Sequence, residues 1–264
     1  MKSTITRLAA AAMIVAPALQ AQSIVYAPGG AKYHVTSVST TQQTQQGQQM
    51  DFTVNSDQWL TVTIAPKSRD TLSYTIVLDS MRISASNPMI PVPDVSKMKG
   101  VAYHGLISTN GKRYGGALSD TTVDETKSLA DGFERFLPQL PATAKFGSTW
   151  NDNVSSKANR GGIDIKSDVV VAYTLAGDTT VAGQKAWRIT RAGTITATGS
   201  GNTQGQAVIV EQSGKLDGSS WVSSAGRFLG SHASQTMSGK ITLPAAGMEI
   251  PQSQKVTTTV EILK

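Results

Sequence analysis

Apolar residues at every second position, with hydroxyl-bearing or charged residues between them, run through almost the whole chain. Leu72, Tyr74, Ile76 and Leu78 alternate with Thr71, Ser73 and Thr75; Met50, Phe52 and Val54, then Leu60, Val62 and Ile64, repeat the pattern, and Tyr33, Val35 and Ser37 alternate with His34, Thr36 and Val38. A period of two sends successive side chains to opposite faces of a strand, so one apolar and one hydroxyl-rich face specify an antiparallel sheet with a dry side and a wet side. The Thr/Gln run Ser39–Gln49 extends the first strand into a long hairpin tip, and Asn55-Ser56-Asp57 marks a bulge or bend. Asn110-Gly111, between Leu106–Thr109 and Lys112–Tyr114, is the strongest signal for a tight hairpin turn with left-handed dihedrals.

Later strands are expected at Thr149–Ser156, Ile163–Leu175, Lys185–Ala197, Ala207–Leu216, Ser219–Ser224, Phe228–Leu243 and Lys255–Leu263. The turns between them fall at Gly161-Gly162, Ala176–Gly183, Gly199–Gly205, Asp217-Gly218, Ala225-Gly226 and Pro244–Pro251. Short connections favour neighbouring antiparallel strands, and open twisted sheets rarely exceed ~10 strands. The expected fold class is therefore mainly β: a large curved antiparallel sheet, half-barrel or barrel-like, a meander of about 11 strands with ~4 before residue 119 and ~7 after residue 149.

One stretch breaks the alternation. In 119–150, Leu129, Ala130, Phe133, Phe136 and Leu137 recur at the spacing of a narrow apolar helix face, opposite Lys127, Asp131, Glu134 and Arg135. Thr122 and Glu125 read as a capping box, and Pro138 cannot continue the ladder, so a single mid-chain amphipathic helix is expected near 123–137, covering the sheet.

At the start, Lys2 and Arg7 precede the apolar run LAAAAMIVAPA and the small-residue exit Leu19-Gln20-Ala21, which predicts a signal peptide over 1–21. A flexible lead-in over 22–30 and a single β-rich domain over 31–264 follow. The export route leads to the periplasm or the extracellular side. With no cysteine there is no lipidation site, so the protein is not lipid-anchored, although a peripheral contact with the outer membrane fits the destination. Losing Lys2 and Arg7 takes the formal charge from +6 to +4, and the remaining basic residues are scattered singly. That distribution argues for a solubilised surface and against a nucleic-acid partner.

The motif search finds no catalytic residues and implies no metal and no cofactor. His34, His104 and His232 lie far apart in sequence, whereas a metal site needs three or four converging ligands. Ser96-Lys97-Met98-Lys99 matches an acyl-transfer pattern but sits in a Pro-rich loop without companion motifs. The residues that stand out as candidate ligand-binding positions are the helix stripe, Leu129, Phe133, Phe136 and Leu137, together with Trp187 and Arg191. Arg191 falls in phase with Trp187, Ile189, Ile195 and Ala197, so in a regular strand its guanidinium points to the apolar side. A bulge that turns it back to water is the favoured reading, and a wet cavity able to hold an anionic head group is the alternative.

The hairpin Leu106–Tyr114 before the helix, the segment Phe133–Trp150 after it and the Trp221–Phe228 hairpin with Gly226 at its turn give an order of elements that resembles the LolA/LolB/RseB/LppX group of periplasmic lipid and lipoprotein carriers. It is also similar to that of uncharacterised secreted bacterial β proteins. The resemblance implies an antiparallel sheet curled around an apolar cavity closed by helices. The lipobox cysteine of the LolB-like and LppX-like members is absent. The leading expectation is a non-enzymatic exported protein that binds a lipid, a lipoprotein or another apolar ligand between sheet and helix. The alternative is a structural or surface-interaction β protein with a filled core and no ligand. An outer-membrane barrel ranks third, because Phe, Trp and Tyr make up only 6% of the chain and aromatic girdles are part of such barrels. A hydrolase with a nonlocal site ranks last.

Overall fold

A computed structural model of the chain describes residues 24–264 other than 46, 89, 91, 123, 142–144, 161 and 204; the expected signal peptide lies outside the described residues. Eleven strands form one antiparallel sheet: β1 (Gly29–Gln45), β2 (Gln48–Pro66), β3 (Thr71–Ala85), β4 (Ala102–Ser108), β5 (Arg113–Leu118), β6 (Thr149–Arg160), β7 (Ile163–Val181), β8 (Gln184–Thr203), β9 (Gln206–Ser223), β10 (Phe228–Leu243) and β11 (Met248–Ile262). Helix α1 (Asp124–Glu134) lies between β5 and β6 in sequence. The spatial order is β5-β4-β3-β2-β1-β11-β10-β9-β8-β7-β6. Two meanders, β1–β5 and β6–β11, are thus joined by pairing the first strand with the last, Tyr33 opposite Ile262 and Val35 opposite Val260.

The strand total agrees with the sequence pattern, and its division does not: five strands precede the helix and six follow it. Asp217-Gly218, expected as a turn, lies inside β9, whose ladder to β8 runs unbroken from Ser223 to Gln206. Gly218 is there for space: a Cβ on it would stand 2.5 Å from the carbonyl oxygen of His232 on β10. Gly214, also facing inward on β9, would place a Cβ 2.0 Å from the carbonyl of Thr236. Strand backbones approach this closely only where a sheet is bent hard, which is the use of glycine inside strands of a curled sheet. The turn expected over Ala176–Gly183 narrows to Ala182-Gly183, because β7 continues past a bulge at Ala176 to Val181. The expected irregularity at Asn55–Asp57 is displaced: pairing is regular there, and the shift between β2 and β3 falls at Trp59/Leu60.

The Asn110-Gly111 hairpin exists with a different turn. Gly111 has φ +81° and Asn110 has negative φ; Gly111 N–H donates to Ser108 O at 2.9 Å and Ser108 N–H to Lys112 O at 2.9 Å. That is an ordinary turn followed by one left-handed glycine. The β9–β10 hairpin repeats it, with Gly226 (φ +81°) donating to Ser223 O at 2.9 Å and Ser223 donating to Arg227 O at 2.7 Å.

These two hairpins grip the segment that the sequence assigned to a flexible lead-in. Tyr26 N–H donates to Thr109 O at 2.7 Å and Ala27 N–H to Gly226 O at 3.1 Å, while Ile24 and Tyr26 are buried. The Tyr26 hydroxyl reaches Pro138 O at 2.7 Å. Residues 24–27 therefore close one end of the curled sheet. The densest core lies at that same end, in the half of each strand carrying Tyr33, Leu60, Tyr74, Leu78, Leu175 and Phe228. Outward faces carry many polar residues, Thr36, Thr40, Thr194, Thr196, Lys255 and Thr257 among them, with the exposed Val38, Val170 and Ile209 interspersed.

Helix α1 ends at Glu134, about one turn before the expected Leu137. Pro138 disfavours helical dihedrals in the residue before it, and the chain unwinds through Phe136 and Leu137. Of the expected capping box, Thr122 donates its hydroxyl to Asp120 at 2.7 Å, and the Glu125 side chain lies outside the described residues.

Candidate functional site

The edge strands β5 and β6 share no backbone ladder, and side chains bridge the seam instead. Arg113 on β5 meets Asp152 on β6, Nη1 to Oδ2, at 2.9 Å, with each side chain only 14–15% exposed. The same guanidinium donates from Nε to Glu134 O at 3.1 Å, where the Tyr74 hydroxyl also donates at 3.3 Å. A carbonyl at the end of a helix has no partner within the helix, so these two donors satisfy it, and the cation suits the negative end of the helix dipole. Burial pulls the Arg113 pKa down, yet the hydrogen bond and charge of Asp152 outweigh it and the group is held above its ordinary value. On the same seam the Trp150 indole donates to Gln139 O at 3.1 Å and stacks on Tyr173 at 5.6 Å.

The curl, the seam and the helix together border a partly open cavity of about 420 Å³. Leu129, Phe133 and Phe136 line it from the helical segment, and Val35, Leu60 and Val171 from the sheet. Phe133 is also buried in the core, and Phe136, in edge contact with Tyr33 at 5.2 Å and with Phe228 at 5.4 Å, separates the cavity from the densest packing. Gly132 and Arg135 stand at its rim, Gly132 exposed and Arg135 half-buried.

Four of the six residues singled out from the sequence therefore come together here: Leu129, Phe133, Phe136 and Arg191. The other two do not. Leu137 points into the filled core, because the helix has ended before it and the chain has turned. Trp187 packs at the closed end, its ring 5.5 Å from that of Phe146. The bulge expected to return Arg191 to water is absent: β8 is regular through it, with Arg191 opposite Tyr173 on β7 and Gly218 on β9. The bulge lies instead on the partner strand at Ala176, so Arg191 stays in phase and faces inward.

Sequence reasoning missed Arg113, Asp152, Tyr173 and the hydroxyls of Ser37, Ser220 and Thr258, all on or beside the cavity wall. Asp152 was within reach of the test that found Arg191, since it is in step with Trp150 and Val154 along β6. Its pairing with Arg113 was not, because the two strands meet only through the curvature of the whole sheet.

Among the described residues no three or more His, Cys, Asp or Glu side chains converge on a common point, and no helix is long and apolar enough to cross a membrane. No family model and no curated protein matches the chain. Among solved structures, the chain is similar to Neisserial surface protein A at 9% identity, over 89% of this chain and 99% of that one, with a TM-score of 0.25. It is also similar to a DUF1329 family protein from Desulfovibrio piger at 10% identity, over 89% of this chain and 85% of that one, with a TM-score of 0.19. The resemblance to the LolA/LolB/RseB/LppX group expected from the order of elements is not shown by any of these matches.

Proposed function

We propose that this is an exported, non-enzymatic binding protein that holds a lipid, a lipoprotein's acyl part or another apolar ligand between the curved sheet and α1. It would work in the periplasm or outside the cell without a lipid anchor, in keeping with the leader expected over 1–21 and the absence of cysteine. The observation that carries the reading is the cavity itself. Protein interiors pack to the density of organic crystals and leave few voids larger than a water molecule, whereas a partly open cavity of about 420 Å³ lies here between sheet and helix. Its wall is built from apolar side chains such as Leu60, Val171, Leu129 and Phe133 together with polar ones. A purely structural β protein with a filled core has no use for that space.

The test uses the full-length protein purified from its own host and released gently into a mass spectrometer, alongside titration of the delipidated protein with a fluorescent fatty acid. A co-purifying apolar ligand and saturable uptake are expected. A clean apo mass together with no uptake would leave the structural alternative standing.

A further inference from the structure

We infer that the ligand is a single-chain anionic amphiphile whose head group is received inside the cavity by Arg191; this rests on the binding function proposed above. Arg191 faces inward from the middle of β8, and its side chain has no ion pair and no hydrogen bond among the described residues. Its Nε is buried without a partner. Arg191 itself is half-buried, and a buried N–H donor without an acceptor is unfavourable, which an anion entering the cavity would relieve.

The surroundings make room for that anion. Gly218 and Gly193, the inward-facing neighbours of Arg191 across to β9 and two residues along β8, carry no side chain, and the Ser220, Ser37 and Thr258 hydroxyls lie on the same wall. The charges are one-sided. Arg113, Arg135 and Arg191 line the cavity against Asp152 alone, and Asp152 is engaged with Arg113 at 2.9 Å, so the unpaired charge is positive. A planar fork of donors suits a carboxylate or a phosphate monoester. The size suits a single chain: with a methylene taken as roughly the ~30 Å³ of a water molecule, the cavity takes on the order of a dozen such groups. Arg191 rather than Arg135 is assigned to the head group because the Arg191 Nε is buried without a partner, whereas no side-chain atom of Arg135 is.

Calorimetric titration of the delipidated full-length protein with tetradecanoate, tetradecyl phosphate, tetradecanol and tetradecyltrimethylammonium at about pH 8, where the carboxylate is ionised, tests the assignment. One or both anions should bind about tenfold or more tightly than the alcohol, the scale of a charge-assisted hydrogen bond, and the cation should bind weakest. Whichever anion leads identifies the head group as carboxylate or phosphate. Arg191→Gln should abolish the advantage of the anion over the alcohol, while Arg135→Gln should reduce it by less. If Arg191→Gln does not fold by circular dichroism, Arg191→Lys, which keeps the charge without the fork, should retain a reduced advantage. Equal affinities for anion and alcohol in the unmodified protein, or an advantage that survives Arg191→Gln, would overturn the head-group assignment and leave the apolar cavity in place. No binding of any of the four would overturn the binding function as well.

Discussion

Arg113 and Asp152 hold together two strands that the backbone leaves apart, and both are largely withdrawn from water. Removing one member strands the other, so Asp152→Ala should lower the unfolding free energy by about 3 kcal/mol in urea titration, and replacing both by apolar residues should recover most of that loss. The tyrosines set an alkaline limit. Burial pushes Tyr33 up to about 12, and Tyr26 and Tyr74 rise for the same principal reason. A raised folded-state pKa means that the protonated form is the one compatible with the fold. Stability should then be undiminished below the unfolded value of about 10 and be lost as pH climbs from there toward about 12. Tyr33 alone accounts for about 2–3 kcal/mol of that loss, and Tyr33→Phe should remove its share from a series of denaturation curves across the alkaline range.

Among the elements, the hairpin at residues 108–112 separates two residues that look equivalent in sequence. Gly111 occupies a left-handed conformation, and a Cβ there would meet the Tyr26 ring at 2.8 Å and the Pro138 carbonyl at 2.9 Å; Asn110 is under neither constraint. Gly111→Val should cost about 3 kcal/mol and Asn110→Val no more than about 1 kcal/mol, measured by chemical denaturation. In α1 the glycine at 132 is not required by a close contact, since a Cβ there meets nothing within 4 Å. Gly132→Ala should therefore stabilise the protein by about 0.5–1 kcal/mol. If that helix must yield for a ligand to enter, the same change should slow uptake in stopped-flow measurements, whereas a static cover would leave the rate unaltered.

At the scale of the molecule, curvature creates the cavity, and inward glycines permit the curvature. Gly218→Val forces a side chain against the β10 backbone and beside Arg191 at once. It should cost about 2–3 kcal/mol in denaturant unfolding and weaken uptake of the fluorescent fatty acid. Gly205→Ala, at a hairpin tip where a Cβ meets nothing within 4 Å, should leave uptake unchanged and serve as the control. The closed end depends on the same geometry. Residues 24–27 are held by hairpins from opposite halves of the chain, so the first described residues and the β9–β10 turn form one structural unit.

The class of the fold, the approximate number of strands and the place of the single helix were legible in the sequence, while the phase of Arg191 left it open between a bulge to water, the favoured reading, and the inward face that the structure shows. Each follows from a local period: two for strands, 3.6 for the helix, and the phase of one residue against its neighbours. Only the tertiary structure decided where strands divide and what faces what. Gly218 reads as a turn because glycine usually marks one, and the carbonyl that excludes a side chain there belongs to a strand 14 residues further on. The Arg113–Asp152 pair, the burial of Tyr26 and the removal of Leu137 and Trp187 from the cavity depend in the same way on contacts between segments distant in sequence. A repeating pattern reports the face on which a side chain lies, whereas the curvature of the sheet fixes which other faces it meets.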